Sequence, residues 1–252
     1  MLLQGKVALV TGGSHGIGNS IVQALARHGA HVVFTYWSSD ELAAGVVESL
    51  KNHPGTVRAL KSDARDYKQA REAVEACIAE YKHIDLLVNN VGGAGPSRSQ
   101  RPIWELREED WDAVISLNLK SCFNYTSAVA PYLMVARRGA IVNMSSINAL
   151  RGREGQAAYT AAKGGIIAFT KTVAKELGRW NVTVNAVVSG YVNTEKQRLQ
   201  VSEVAKRAIL NDCAIKEWVE PEDVAEVVCF LGSERARHIT GAVFKVDAGE
   251  YM

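Results

Sequence analysis

Seven short runs of aliphatic and β-branched residues recur along the chain, and between them lie segments of helical periodicity. This alternation constrains the fold more than any other feature. The runs are KVALVTG (6–12), AHVVFTY (30–36), TVRALKSD (56–63), IDLLVNN (84–90), AIVNMSS (140–146), VTVNAVV (182–188) and GAVFKVDAG (241–249). Helical patterns fill 17–29, 40–52, 67–82, 156–178 and 221–233; another starts near Glu108 and reaches the 130s, where Pro131 would bend it. Strands alternating with helices of this length imply βαβ units and a parallel sheet. The strands are apolar on both faces, as required when helices cover both sides. No repeat, low-complexity tract or linker interrupts residues 1–252. The expectation is a single-domain, doubly wound α/β fold of Rossmann type, with a seven-stranded parallel sheet and helices on both faces.

Composition narrows the partners. The 252 residues are 47% hydrophobic, enough for a large core, and 29 Lys and Arg against 27 acids leave a net charge of only +2. Neither nucleic acid nor an anionic membrane is called for by that balance. Cys77, Cys122, Cys213 and Cys229 are widely spaced, so they read as reduced, buried thiols, and no His/Cys cluster suggests a metal. The N-terminal MLLQGKVALV lacks the pattern of a signal peptide, and no apolar run reaches the ~18 residues of a membrane span. A cytoplasmic protein is expected.

The stretch TGGSHGIG follows the first strand and opens the first helix. Glycines there allow a tight turn and close backbone approach to a pyrophosphate, while the helix N-terminus supplies free N–H groups and positive potential. Gly12, Ser14, His15, Gly16, Ile17 and Gly18 are therefore candidate dinucleotide contacts. The end of the second strand selects between nicotinamide cofactors: an acid there binds ribose hydroxyls, and a cation or hydroxyls accept a 2′-phosphate. Here Tyr36 stands in the acid's place, followed by Trp37, Ser38 and Ser39. The missing carboxylate favours NADP(H) over NAD(H), with Asp40 close enough to count against it.

In AAYTAAKGG (157–165), Tyr159 precedes Lys163 by four residues, one helical turn on the same face. A phenol titrates near pH ~10, and a neighbouring cation lowers that value. The two form a candidate acid–base pair; by themselves they are equally a packed tyrosine and a solvated lysine.

Taken in order, TGGSHGIG (11–18), Asp63, NNVGG (89–93), Asn118 in SLNLKS, Ser146 in NMSSI, YxxxK at 159–163 and SGYVNTE (189–195) resemble the short-chain dehydrogenase/reductase family, from Lys6 to about Gly249. The resemblance implies hydride transfer between a nicotinamide cofactor and a ketone or secondary alcohol. It makes Tyr159 the proton donor or acceptor, Lys163 its pKa-lowering partner and ribose contact, Ser146 the group that polarises the carbonyl, and Asn118 the holder of a water leading from Lys163 to solvent. It places Asp63 and Ala64 at the adenine, Asn90, Val91 and Gly92 along the ribose and the path to nicotinamide, and Gly190, Val192 and Thr194 at the diphosphate or carboxamide. The small residues around the pair, Ala157, Ala158, Ala161, Ala162, Gly164 and Gly165, would permit close packing and leave room for the cofactor. Each residue has a plainer alternative: Asp63 and Thr194 are plausible helix caps, Ser146 a strand end with Ser145 as rival, and Asn118 a satisfied polar kink. Three positions depart from the family pattern: Val91 for alanine, Ser189 for proline, and Ala248-Gly249 for Gly-Gly.

Substrate choice is expected in the segments 93–103 and 147–156 and in a lid over 191–215 that carries Leu199, Val201, Val204, Ile209 and Leu210. Arg98, Arg101, Arg151 and Arg153 stand in these segments, and a solvated surface is the simpler reading of them. Among family members the resemblance points first to a reductase of 3-oxoacyl thioesters, linked to a carrier protein or to CoA. Arg137, Arg138 and Arg179 would offer an acidic carrier a basic patch. Sugar, polyol or steroid dehydrogenases are the alternative, and a non-catalytic cofactor sensor is a remote one. The family also implies a homo-oligomer, commonly a tetramer.

Overall fold

The computed structural model describes residues 1–96 and 99–252, and for Gln200 the backbone only. The chain runs β1 (Val7–Thr11), α1 (Gly16–Arg27), β2 (His31–Tyr36), α2 (Asp40–Ser49), β3 (Val57–Lys61), α3 (Tyr67–Tyr81) and β4 (Leu86–Asn89). It continues through α4 (Glu108–Ile115), α5 (Ser121–Ala136), β5 (Gly139–Ser146), α6 (Asn148–Arg151), α7 (Ala157–Leu177) and β6 (Val182–Ser189). Two short helices, α8 (Glu195–Gln200) and α9 (Glu203–Asp212), precede α10 (Pro221–Leu231) and β7 (Val243–Val246).

The seven strands form one parallel sheet in the order β3-β2-β1-β4-β5-β6-β7. Successive residues of β1 alternate between two cores, as the period of a strand demands. Ala8 and Val10 join Ile21, Leu25, Val224 and Val228 under α1 and α10; Val7 and Leu9 join Val74, Tyr125, Val129 and Val173 under α3, α5 and α7. The chain leaves β1 toward β2 and β3, then crosses back to β4 on β1's other side. The ends of β1 and β4 thus form the switch point where a doubly wound sheet opens a crevice.

The structure corrects the single helix expected from Glu108 onward. A π-helical turn at Ser116–Lys120 separates α4 from α5. Pro131 lies inside α5, and it is Asn118, not the proline, that marks the irregularity. The short α6 and the division of the 191–215 segment into two helices are also absent from the sequence pattern, since each of these helices is too short to show a clear periodicity.

Candidate active site

A cleft of about 890 Å³ opens at the carboxyl ends of the strands. Its lining takes in Gly12, Ser14, His15, Gly16, Ile17 and Gly18 from the glycine loop, and Tyr36, Trp37 and Ser38 after β2. Asp63, Ala64, Asn90, Val91 and Gly92 follow, then Tyr159, Lys163 and Thr194. Asn118 and Ser146 are set behind this surface, at 0% and 8% exposure. Gly190 packs on Asp247, and Val192 is buried in a bridge to Val219, so neither side faces the cleft.

The loop is shaped by close approach. A Cβ on Gly18 would sit 2.0 Å from the Gly12 carbonyl oxygen, so only glycine fits. His15 precedes α1 without its side chain capping the helix, leaving the first-turn amides to be satisfied from the cleft. Asn90 is a clamp: its Nδ2 donates to the carbonyls of Thr11 and Gly12, each at 3.0 Å. At the β2 end, the Tyr36 hydroxyl donates to Asp40 at 3.0 Å, and Lys61 pairs with the same carboxylate at 2.9 Å. That hydrogen bond to Asp40 raises the Tyr36 pKa. Asp63 is gripped by Arg65 at 2.6 Å, which lowers its pKa. The helix cap that was the plainer alternative for Asp63 belongs instead to Asp66, which accepts from the amides of Lys68 and Gln69. Thr194 does cap α8.

At the other end, Lys163 is buried, and its Nζ donates to the Met144 carbonyl at 2.8 Å. Removal from water pulls its pKa down to about 8. The Nζ lies 5.8 Å from the centre of the Tyr159 ring. The expected depression of the phenol by this lysine is not found in the protein alone. Burial raises the Tyr159 pKa, and the Ser146 hydroxyl is the group that pulls it back. The reason is burial: removal from water penalises the phenolate more than the Ser146 hydrogen bond stabilises it. Ser146 accepts from the Asn148 amide at 3.3 Å, whereas the rival Ser145 donates to the Lys163 carbonyl at 2.9 Å and is committed to the helix.

Asn118 uses both of its side-chain donors. Its Oδ1 accepts from Gly93 N at 3.0 Å, and its Nδ2 donates to the carbonyls of Gly93 and Val114. A water on its side chain would have to donate to the second lone pair of Oδ1. The packing role expected of the helix glycines holds for Gly165, whose Cβ would meet Leu119 at 2.9 Å, and fails for Gly164, which faces open space.

Among the arginines near the expected substrate segments, Arg101 pairs with Glu105, Arg151 with Glu250, and Arg153 with Tyr191. Arg98 lies outside the described residues. Arg137 reaches the Arg179 carbonyl and lies 5.3 Å from the Trp180 ring, while Arg138 lies 3.6 Å from Asp85. This patch sits at the start of β5, the end of the sheet opposite the cleft of the same chain. Residues that the sequence did not single out also line the cleft: Thr35, Leu42, Ser62, Arg65, Leu117, Met144, Glu195 and Lys196. Leu117, Met144 and Glu195 are neighbours of motif residues, and only the topology brings the others there. Among the described residues no group of His, Cys, Asp and Glu is placed to hold a metal, and no helix is long and apolar enough to cross a membrane.

Residues 12–250 match a family model described as enoyl-(acyl carrier protein) reductase. The chain is 39% identical over 249 residues to the 3-oxoacyl-[acyl-carrier-protein] reductase FabG of Thermotoga maritima, covering 99% of each chain. It is 37% identical over 247 residues to FabG of Staphylococcus epidermidis, covering 98% of this chain and 99% of the relative. The 3-oxoacyl-[acyl-carrier-protein] reductase of Synechocystis is 37% identical over 251 residues, with 99% and 98% covered.

Proposed function

The chain belongs to the short-chain dehydrogenase/reductase family, and from that premise we propose that it is an NADP(H)-dependent reductase of 3-oxoacyl thioesters. The observation that carries the reading is the placement of Tyr159 and Lys163 in the lining at one end of a cleft, with the Ser146 hydroxyl against Tyr159 just behind it, while the other end is a glycine loop with uncapped helix amides.

The residues present suit a dinucleotide. The Gly12–Gly18 approach leaves a concave backbone, and α1 offers unpaired donors to a pyrophosphate. Tyr36 stands in the acid's place at the end of β2, Ser38 and Ser39 follow it, and the nearby Asp40 carboxylate is taken up by Tyr36 and Lys61, which supports NADP(H). When bound, the reduced cofactor supplies the hydride. The protein supplies the rest. Ser146 holds the carbonyl oxygen, and Tyr159 donates a proton to that oxygen as it becomes an alkoxide. Lys163, with a pKa of about 8, carries positive charge at neutral pH and stabilises the phenolate left behind. Asn118 fixes the backbone of Gly93 and so the wall on which Lys163 rests. A hydroxyl pair directed at one oxygen favours a carbonyl over an alkene, and so the 3-oxoacyl reading over an enoyl one.

The relatives act on acyl groups linked to a carrier protein, and the same linkage is proposed here, with a CoA thioester as an alternative. The exposed Phe123, Tyr132 and Val135 of α5 support a homo-oligomer, proposed as a tetramer. A cytoplasmic location completes the reading. The test is a panel of acetoacetyl thioesters, crotonyl thioesters, sugars, polyols and steroid ketones, assayed with NADPH and with NADH by loss of reduced-nicotinamide absorbance. Acetoacetyl thioester turnover with NADPH is expected. Turnover of crotonyl thioester alone, or of a sugar alone, would overturn the assignment. Tyr159→Phe should retain NADPH binding and lose about 10³-fold in turnover.

A further inference from the structure

The C-terminal turn after β7 has an arrangement that the cleft does not explain. The Glu250 side chain is 2% exposed; one carboxylate oxygen pairs with Arg151 at 2.6 Å, and the other, Oε2, is buried with no partner. That free oxygen is packed against Gly190: a Cβ there would lie 2.9 Å from Oε2 and 2.9 Å from Asp247 Cα. Ala248 is held at φ +53°, a left-handed conformation that disfavours residues with a Cβ. Its carbonyl accepts from Ile215 N at 2.9 Å, at the end of the lid. Asp247 closes the turn by accepting from the amides of Gly249 and Tyr251.

An unpartnered buried carboxylate oxygen and a strained alanine both cost stability, and both persist only where the surroundings enforce them. Three segments meet at this turn. One is the loop after β6, where Ser189 replaces a stiffer proline. The second is α6, which begins two residues after Ser146, with Asn148 N donating to the Ser146 hydroxyl. The third is the end of the lid. Glu250 touches the first through Gly190 and the second through Arg151.

We infer that Glu250, with Arg151, is a positioning residue for hydride transfer. It fixes the distance between the loop after β6 and the α6 turn that carries the hydrogen-bond partner of Ser146, and so supplies the stiffness that Ser189 lacks. The inference rests on the reductase reading, because hydride transfer is the step it aligns.

The experiment compares wild type, Glu250→Gln, Arg151→Gln and the double variant. Turnover of an acetoacetyl thioester at saturating NADPH, the isotope effect with NADPH deuterated at C4, the melting temperature, and the fluorescence of bound NADPH without ketone are measured for each. Removing Arg151 leaves a buried charge uncompensated, so Arg151→Gln should be the most impaired, about tenfold in turnover with a raised isotope effect. Glu250→Gln should lose about threefold, and the double variant should match it rather than show the product of the two losses. The emission of bound NADPH should differ from wild type in both single variants. Unchanged turnover, isotope effect and bound-cofactor emission, whatever the melting temperature, would reduce the pair to a clamp on the fold and overturn the inference. Should Arg151→Gln fail to fold, Glu250→Gln and the double variant decide it. Wild type that binds NADPH but reduces none of the thioesters would defeat the reductase reading alone, leaving the emission comparison to judge the clamp.

Discussion

A methyl group added at Gly92 would test the architecture around Lys163 directly. An alanine Cβ there would lie 2.5 Å from Asn118 Oδ1 and 2.9 Å from Lys163 Nζ. Carbon and oxygen normally rest about 3.3 Å or more apart, so the amide must retreat by roughly 0.8 Å. It has nowhere to go: Asn118 is fully buried and committed to Gly93 N, Gly93 O and Val114 O. Overpacking with a strained or lost hydrogen bond costs about 1–3 kcal/mol. In a domain of this size that lowers the melting temperature by about 3–10 °C. The kinetic effect should be larger. Displacing a catalytic group by about 1 Å costs on the order of 10² in rate, close to 2.7 kcal/mol of barrier. Turnover with NADPH and an acetoacetyl thioester measures the second effect, and a thermal melt the first. Gly93→Ala is the control, since a Cβ at that position meets nothing within 4 Å. Turnover of Gly92→Ala within twofold of wild type, or equal damage from Gly93→Ala, would refute the reasoning.

The lysine makes its own predictions. If it acts as a cation, kcat/KM should fall as pH rises through about 8, the value to which burial lowers it from 10.5; a flat profile to pH ~10 would contradict the role. The same shift bears on stability. The folded state sheds the proton first, so the cost of burying the charge is fully present below about 8 and relieved on approaching 10.5. Lys163→Met should therefore be more stable than wild type near neutral pH, by up to roughly 3 kcal/mol, and denaturant titrations should show that advantage shrinking toward pH ~10. Tyr36→Asp should move cofactor preference toward NAD(H) by about 10–100-fold, read from the ratio of kcat/KM for the two cofactors. Cys77, Cys122 and Cys229, each raised to about 12 by burial, should resist alkylation near neutral pH until the chain is unfolded, as mass spectrometry of trapped thiols would show.

Much of this was legible beforehand because it rests on short-range rules. Val7–Thr11 is buried throughout, and its apolar run says so. Gly12, Gly16 and Gly18 announce a close approach, and Tyr159 and Lys163 share a helix face whatever the tertiary context. What escaped depends on contacts distant in sequence. Nothing in SLNLKS signals a π turn, because the turn is set by Asn118 reaching both Val114 and the backbone of Gly93. The upward direction of the Tyr159 shift is set by burial, which spacing does not reveal. The basic residues 137, 138 and 179 suggest one docking patch, yet their places before β5 and β6 put them at the far end of the sheet.

The π turn has a consequence for how this chain tolerates change. It is equivalent to one residue more than a regular helix requires, and the surplus carbonyls of Leu117 and Asn118 are taken up by the Ser121 hydroxyl. Deleting a single residue between 116 and 120 would let α4 and α5 fuse into an unbroken rod. The healed rod would be the better local helix, yet everything upstream would turn by about 100° against what lies downstream. Asn118 would swing off Gly93, and the wall under Lys163 would go with it. Single-codon deletions should therefore be rejected across these five positions even though each improves the hydrogen-bond ladder, so the irregularity is locked into the gene by the chemistry it supports.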